Sequence, residues 1–287
     1  MINTNVRLQR CRKMGHIKRT ERLAVLCRLL SDEPNKIHNY NKFCEMFDVA
    51  KSSVSEDIEI LAECFRENGL GQIDTLTGAA GGVRYRPVIE HDDAKAIIRS
   101  VCKTLSEPGR LLPGGYLFSS DVAGDPAVTE KLGYIIAGKY FDNPPDFVLT
   151  METKGIPLAL MTAKALGVGL VVARRDSKAY EGSAVKINYV SGLSNEHVET
   201  MALPKRSVKD GQKALIVDDF VKGGGTLQGM VEMMKECQVE VIGVEVMIAT
   251  QKPETKLYSS YNSLMVLNGF NKQDSSCSVV PGKEYLL

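Results

Sequence analysis

The stretch Ala214-Leu-Ile-Val-Asp-Asp-Phe-Val-Lys-Gly-Gly-Gly-Thr226 decides the fold of the longer part of this chain. Its first four residues are apolar and follow the turn signal Asp210-Gly211, which indicates a buried strand of a parallel sheet. Asp218 and Asp219 come next, and after the glycines an amphipathic helix is predicted from Leu227 to Glu236. The order of strand, acid pair, glycine loop and helix predicts a ligand site, because open α/β sheets bind ligands at the carboxyl ends of their strands.

The residue types at this site define its chemistry. The three glycines let main-chain N–H groups approach an anion, and the start of a helix adds a positive field. The acid pair can accept hydrogen bonds from vicinal hydroxyls. The spacing differs from the phosphate loop G-x-x-x-x-G-K-[ST], because Lys222 precedes the glycines. The pattern therefore predicts a site for a ribose 5-phosphate group, with an ordinary strand–turn–helix connection as the alternative.

A second loop is expected on the same rim of the sheet. Strands predicted near residues 147, 169, 214 and 241 alternate with helices, which indicates a parallel sheet. Thr153, Lys154 and Gly155 follow the first of these strands and can bind a second anion, although Lys154 can equally be a solvated loop lysine. The polar segment from Arg175 to Asn195 is expected to form a mobile loop or a hairpin near the ligand. It and its flank add the candidate contacts Arg174, Arg175, Lys178 and Tyr180.

Composition limits the class of protein. The chain has 287 residues, of which 44% are hydrophobic and 25% charged, as in soluble proteins of one or two domains. It contains no apolar run long enough to span a membrane and no secretory leader, so we expect a cytoplasmic protein without a membrane partner. Seven scattered cysteines and four isolated histidines indicate neither a disulfide framework nor a metal site. Residues 1–17 are basic and expected to be disordered; this arm either contacts nucleic acid or is simply solvated.

The region after this arm has the pattern of a winged helix. Helices are predicted at Thr20–Ser31 and Tyr40–Phe47, and a third is predicted to start near Ser53, where Ser53-Val-Ser-Glu56 has capping-box spacing. Leu70–Ile73 and Val83–Tyr85 can then pair as a hairpin, the wing. Such a domain places the start of its third helix in the major groove and its wing on phosphates. The candidate DNA contacts are Lys51, Ser52, Ser53, Ser55, Arg84 and Arg86; a dimerisation or docking domain is the alternative.

Taken together, these segments resemble a known family. The stretch at Asp218 resembles the phosphoribosyl pyrophosphate (PRPP) motif of type I phosphoribosyltransferases. From about residue 18 onward the chain resembles the purine operon repressors of Gram-positive bacteria. The resemblance is carried by residues 50–57, 78–83, 112–116, 153–157, 174–178, 181–183, 187–192 and the Asp218-Asp219 motif.

The resemblance implies an α/β protein with two domains after the arm. Residues 18–87 would form a winged helix-turn-helix domain, and residues 88–287 a type I phosphoribosyltransferase-like parallel-sheet domain. Members of the family are dimeric regulators of purine biosynthesis genes that bind operator DNA and PRPP and are not known as transferases. Most repress transcription, and some relatives activate it. The expectation for this chain is therefore a repressor that forms a homodimer and is not an enzyme.

The resemblance also implies roles for residues that match its motifs. Asp218 and Asp219 would hold the ribose hydroxyls, with Phe220 beside them. The 5-phosphate would lie on Lys222, Gly223, Gly224, Gly225 and Thr226, and the pyrophosphate on Thr153, Lys154 and Gly155. Glu152 departs from the pattern, which has a small residue there; a carboxylate beside pyrophosphate weakens binding unless it points away.

Two other functions stay open at this point. The chain could be an active purine or xanthine phosphoribosyltransferase with an appended domain, in which Phe270 or Tyr261 stacks on the base. A guanine nucleotide alarmone could also compete with PRPP at the acid pair. Mg²⁺ can accompany PRPP in either case.

Overall fold

The computed structural model describes residues 17–78, 81–112, 116–176, 182–191, 197–271 and 276–286. They form two compact units that separate after Ile89. Of the expected basic arm only Ile17 is described, and it is buried in the core of the first unit. No helix in the described part of the chain is both long enough and apolar enough to cross a membrane.

The first unit has three helices followed by a hairpin. Its elements are α1 (Arg19–Asp32), α2 (Tyr40–Phe47), α3 (Lys51–Glu67), β1 (Gln72–Leu76) and β2 (Gly82–Arg86). The two strands are antiparallel, and His38 adds an isolated bridge to Val83. Leu26, Phe43 and Ile58 are fully buried between the helices and the sheet. This arrangement confirms the winged-helix fold that the sequence predicted.

The predicted start of the third helix is wrong. α3 begins at Lys51, and its N-cap is Ala50, whose side chain accepts no hydrogen bond. Ser53 therefore lies inside the first turn. The Ser53-to-Glu56 spacing misled the prediction, because the turn after α2 is short: Asp48 caps α2 in the left-handed conformation. Helix can then resume within three residues.

The second unit contains the remaining elements. They are α4 (His91–Leu105), β3 (Leu111–Leu112), β4 (Tyr116–Leu117), α5 (Ser120–Gly124), α6 (Pro126–Gly138), β5 (Phe147–Met151), α7 (Ile156–Leu166), β6 (Gly169–Ala173), β7 (Ala184–Ser191), β8 (His197–Pro204), β9 (Lys213–Val221), α8 (Gly225–Glu236), β10 (Glu240–Thr250), β11 (Asn262–Asn271) and β12 (Ser276–Pro281).

The main sheet has the strand order β12-β11-β10-β9-β5-β6. The five strands from β11 to β6 are parallel, as predicted, and β12 joins β11 antiparallel at one edge. β12 was missed because its sequence, Ser276-Cys-Ser-Val-Val-Pro281, is short and ends in proline. Leu149, Ile216 and Val246 fill the centre of the sheet and pack against methionines of α8.

The polar segment after β6 forms a hairpin rather than a loop. β7 and β8 pair antiparallel over eight residues each, from Ala184 opposite Pro204 to Ser191 opposite His197. The hairpin packs on α8, where a Cβ atom at Gly229 would lie only 2.9 Å from Tyr189. Close packing of this kind holds the hairpin beside the acid pair.

Candidate functional site

The acid pair lies where the main sheet splits. β9 runs through Asp218 and Asp219 to Val221. The carboxylates therefore lie within the strand, whereas the sequence suggested that they follow it. On one side β10 stays paired with β9 as far as Val221. On the other side the pairing of β5 with β9 ends at Ile216, opposite Leu149. The gap that opens between β5 and β9 gives Asp218 and Asp219 access to a cavity.

Asp218 is a buried carboxylate beside a second carboxylate. Its side chain accepts a hydrogen bond from the backbone N–H of Asp219 at 3.1 Å. Burial raises its pKa well above the usual range, and the charge of Asp219 raises it further. Burial also raises the pKa of Asp219, although Lys154 acts in the opposite direction. Such a pair is poised to accept hydrogen bonds or a cation, either of which stabilises its charged form.

Gly155 makes room for Asp218. A Cβ atom at position 155 would lie 2.5 Å from Thr150 Oγ1 and 2.6 Å from Asp218 Oδ1. Gly155 is buried and is the N-cap of α7, so it shapes the wall behind the acid pair. Thr153 and Lys154 are exposed and face the cavity.

The glycine loop packs closely against the backbone of Leu257 and Tyr258. Gly224 has φ +82°, and a Cβ atom there would lie 2.8 Å from the backbone of Tyr258. The carbonyl of Gly223 accepts a hydrogen bond from the N–H of Leu257 at 2.8 Å. α8 starts at Gly225 without a side-chain cap, so N–H groups of its first turn remain available to a ligand.

A cavity of about 640 Å³ brings several predicted residues together. Its lining includes Asp218, Asp219, Phe220, Thr226, Thr153, Lys154 and Arg175. Gly223, Gly224 and Gly225 are not among its lining residues, and Arg174, which forms a backbone bridge to Ala202, does not line it either. Lys178 and Tyr180 lie outside the described residues.

Four lining residues were not identified from the sequence as contacts: Met151, Glu152, Tyr189 and Glu199. Tyr189 of β7 donates to Glu199 of β8 at 2.7 Å, and burial raises the pKa of Tyr189 to about 12. Glu152 accepts a hydrogen bond from the backbone N–H of Arg175 at 2.8 Å. Its carboxylate is therefore engaged at the end of β6. Tyr189 falls within the segment that the sequence placed near the ligand, although nothing singled it out there. Glu199 lies beyond that segment and reaches the site through the β7–β8 hairpin.

A larger, mainly apolar cavity of about 990 Å³ adjoins the first and shares Lys154, Asp219 and Phe220 with it. Tyr116 in β4 and Phe118 just after β4 line it together with Lys222. Tyr261 does not line it, and the side chain of Phe270 lies outside the described part. Tyr116 and Phe118 are placed to cover a ring beside the acid pair, whereas Tyr261 is not.

In the first unit, the start of α3 is open to solvent. Lys51 and Ser52 are exposed, while Ser53 and Ser55 are half-buried. The wing arginines are placed otherwise than expected. Arg84 and Arg86 both bond to the carboxylate of Asp74 on β1, at 3.1 and 2.6 Å, and their side chains are only 19% and 14% exposed. Their role as phosphate contacts stays a prediction, which this pairing weakens.

The fold and the two sites define a class: a winged-helix unit joined to a unit of the phosphoribosyltransferase type. Residues 18–87 match the bacterial purine repressor N-terminal family, and residues 122–278 match the phosphoribosyl transferase domain family.

Relatives match along most of their length. The chain is 42% identical to a probable purine biosynthesis transcriptional regulator PurR of Streptococcus pneumoniae, over 93% of this chain and 97% of the relative. It is 39% identical to a purine biosynthesis transcriptional repressor of Bacillus subtilis, over 92% and 93% of the two chains. It is 38% identical to a purine biosynthesis transcriptional activator of Lactococcus lactis, over 93% and 98%. The chain therefore belongs to the family of bacterial purine biosynthesis transcriptional regulators.

Proposed function

We propose that this protein is a DNA-binding repressor of purine biosynthesis genes in the cytoplasm, with PRPP as its effector. The observation that carries the proposal is the buried acid pair at the split of the sheet, facing a cavity that also holds Lys154 and Arg175. Two acceptors beside two cations match a ligand that combines vicinal hydroxyls with phosphates.

The parts of PRPP correspond to parts of this cavity. Asp218 and Asp219 accept the ribose hydroxyls, and their charged forms gain from those hydrogen bonds. The 5-phosphate lies on the first turn of α8 near Thr226, where free N–H groups meet the positive end of the helix. Lys154 and Arg175 lie at the pyrophosphate.

We propose that Mg²⁺ accompanies PRPP. Mg²⁺ in phosphate sites is held by one or two carboxylates and by the oxygens of the phosphates. The acid pair provides such carboxylates. Among the described residues no group of three metal-ligating side chains converges, so the phosphates themselves would supply most of the ligands.

The regulator acts if PRPP binds the DNA-free and DNA-bound states unequally. One winged helix reads a short half-site, and a two-fold operator matches a two-fold protein. We therefore propose a homodimer. The chain senses PRPP in this account and does not transfer its phosphoribosyl group.

The apolar cavity supports two further candidates. Phe118 and Phe220 beside the acid pair would suit a purine base, as in an active phosphoribosyltransferase. They would equally suit the base of a guanine nucleotide alarmone that competes with PRPP for the acid pair. Both candidates need the same cavity, so the experiment must separate binding from turnover.

The test combines calorimetry with a turnover assay on the full chain. PRPP should bind wild type, and binding should be displaced by a guanine alarmone. No nucleotide should form from PRPP and adenine, guanine, hypoxanthine or xanthine. Turnover of any base would replace the sensor proposal with the enzyme; absence of PRPP binding would remove the effector assignment.

A further inference from the structure

A polar cleft of about 460 Å³ lies in the first unit, where the starts of α2 and α3 meet the wing hairpin β1–β2. The cleft is lined by Tyr40 and Asn41 of α2 and by the N-cap residue Asn39, by Lys51 and Ser55 of α3, and by Thr75 of the wing. None of the described residues that line this cleft is acidic. We call it the Tyr40 cleft.

Lys51 is the one cation among the described residues that line the cleft. Its ammonium lies 5.6 Å from the centroid of the Tyr40 ring, within the range of a cation–π contact. It forms no ion pair with the described residues, whereas Lys36 nearby pairs with Glu33 at 2.6 Å. The ring holds the ammonium in place and leaves its N–H donors available.

The other polar groups of the cleft can also donate hydrogen bonds. The hydroxyl of Tyr40 lies 3.4 Å from Thr75 Oγ1, a long contact that leaves both groups able to turn to a stronger acceptor. Asn41 is exposed and offers an amide. A lysine, a phenol, an amide and a threonine hydroxyl form a set of donors for an anion, and no carboxylate is among the described lining.

Charge elsewhere in the unit limits where a polyanion can approach. Beyond its first turn α3 carries Glu56 and Glu63, whose side chains are 65% and 64% exposed. Both pair with arginines, at 3.1 and 4.0 Å, but beyond its first turn α3 has five acidic residues and one arginine, so the body of the helix repels DNA. The wing offers little positive charge to DNA, because Asp74 neutralises Arg84 and Arg86 in part. The start of α3 and the Tyr40 cleft are the region that favours phosphate.

We propose that the Tyr40 cleft holds one backbone phosphate of bound DNA and that this contact, rather than Arg84 and Arg86, anchors the duplex. The inference rests on the proposed DNA binding and names the partner group at that site. A phosphate contact carries no sequence information but fixes register. Anchored there, the duplex presents its base edges to Ser52 and Ser55 near the start of α3.

Binding of the full chain to two duplexes tests the proposal: promoter DNA from upstream of a purine biosynthesis gene, and a random sequence of equal length. Tyr40→Phe and Asn41→Ala should each weaken binding to both duplexes by about tenfold, because each loses a hydrogen bond to a charged group. Lys51→Ala should also flatten the salt dependence by about one unit. Arg84→Ala and Arg86→Ala should have smaller effects.

Arg28→Ala is the matched control for loss of an exposed cation, since Arg28 is 72% exposed and lies outside the cleft. It should bind both duplexes like wild type. Thermal melting of Tyr40→Phe, which keeps the ring, checks that the unit remains folded. If the cleft variants bind like wild type and the wing variants do not, the inference is wrong and the proposed function stands. If wild type itself does not bind the promoter duplex, the proposed function fails first.

A second measurement identifies the phosphate. Each backbone phosphate of the promoter duplex is replaced in turn by an uncharged methylphosphonate. One position in each half-site should cost wild type about tenfold in affinity and cost Tyr40→Phe much less, because the contact is already weakened. Equal losses for both proteins at every position would contradict the assignment of that phosphate to the cleft.

Discussion

Two buried carboxylates in this molecule differ in whether the fold provides them with ion pairs. Asp57 on α3 is fully buried and forms ion pairs with Arg19 at 3.0 Å and with Arg22 at 2.7 Å. Asp218 on β9 is 5% exposed and lies beside a second carboxylate, and it forms no ion pair with the described residues. The first carboxylate is satisfied within the fold. The second is left to be satisfied by a ligand.

The same contrast holds within the second unit. Glu245 on β10 is fully buried, one residue before Val246, the partner of Asp218 in the sheet. It is bonded by Lys139 at 3.2 Å, Tyr140 at 2.8 Å and Asn262 at 2.9 Å. Buried charge is thus compensated wherever it serves only the structure. An acid that lacks a cation in such a fold marks a functional site.

The largest effect is expected at Asp57. Asp57→Ala leaves Arg22, which is only 12% exposed, without its partner. Removing one member of a buried pair costs about 3–5 kcal/mol of stability. Chemical denaturation monitored on the first unit measures this. Glu56→Ala is the control, since its pair with Arg19 is exposed and worth less than about 1 kcal/mol. Equal stabilities for the two variants would mean that Asp57 is not structural.

Asp218→Asn should weaken PRPP binding and stabilise the free protein. Asparagine keeps the acceptor for the N–H of Asp219 but removes the buried charge. PRPP affinity should fall by about tenfold or more, through loss of a charge-assisted hydrogen bond. The free protein should gain stability, because a buried charge without a cation is costly. Calorimetry and thermal melting give the two numbers.

Glu245→Gln is the matched control for that pair of measurements. It removes a buried charge that has partners, so it should lower stability and leave PRPP affinity unchanged. If Asp218→Asn and Glu245→Gln change stability in the same direction, the contrast between compensated and uncompensated acids does not hold.

His38 gives the smallest effect. Burial, helped by Lys42, lowers the pKa of His38 from 6.5 to about 4, against the opposing charge of Glu33. The folded chain therefore binds this proton less readily than the unfolded chain. The contribution of His38 to the free energy of unfolding is fully present above the pKa of the unfolded state and is lost as pH falls from 6.5 towards 4. Between about pH 7 and about pH 5.5 the loss should be about 1 kcal/mol. Denaturation of wild type and His38→Gln over this range measures it; an identical slope for both would assign the loss to other groups.

Much of the fold could be predicted from local pattern. α2 has the predicted bounds, and the strands that begin at Phe147, Gly169 and Glu240 lie where they were predicted. The start of α3 and strand β12 could not be predicted in this way. The first depends on how tightly the chain turns after α2, and the second on an edge where β11 provides a partner. Neither determinant is a property of the segment itself.

The residues of the candidate site also fall into those that local sequence revealed and those that only strand pairing brought together. The glycine run and the acid pair stand next to each other in the chain, so their chemistry was visible directly. Tyr189 and Glu199 were not, because antiparallel pairing of β7 with β8 brings them together. Whether the pocket binds the proposed effector stays a prediction.

The sequence by itself determined the two-domain plan, the parallel sheet and the identity of the acid pair, because hydrophobic periodicity and adjacent motifs are local properties. Only the tertiary structure decided which charges are compensated. Asp74 engages Arg84 and Arg86 because the wing register places Asp74 opposite Arg84, and Asp57 meets Arg22 because α1 packs on α3. Asp218 has no ion pair with the described residues, and it lies just beyond the point where β5 leaves β9. Strand register and helix packing join residues that are distant in the chain, and no pattern within one segment contains that information.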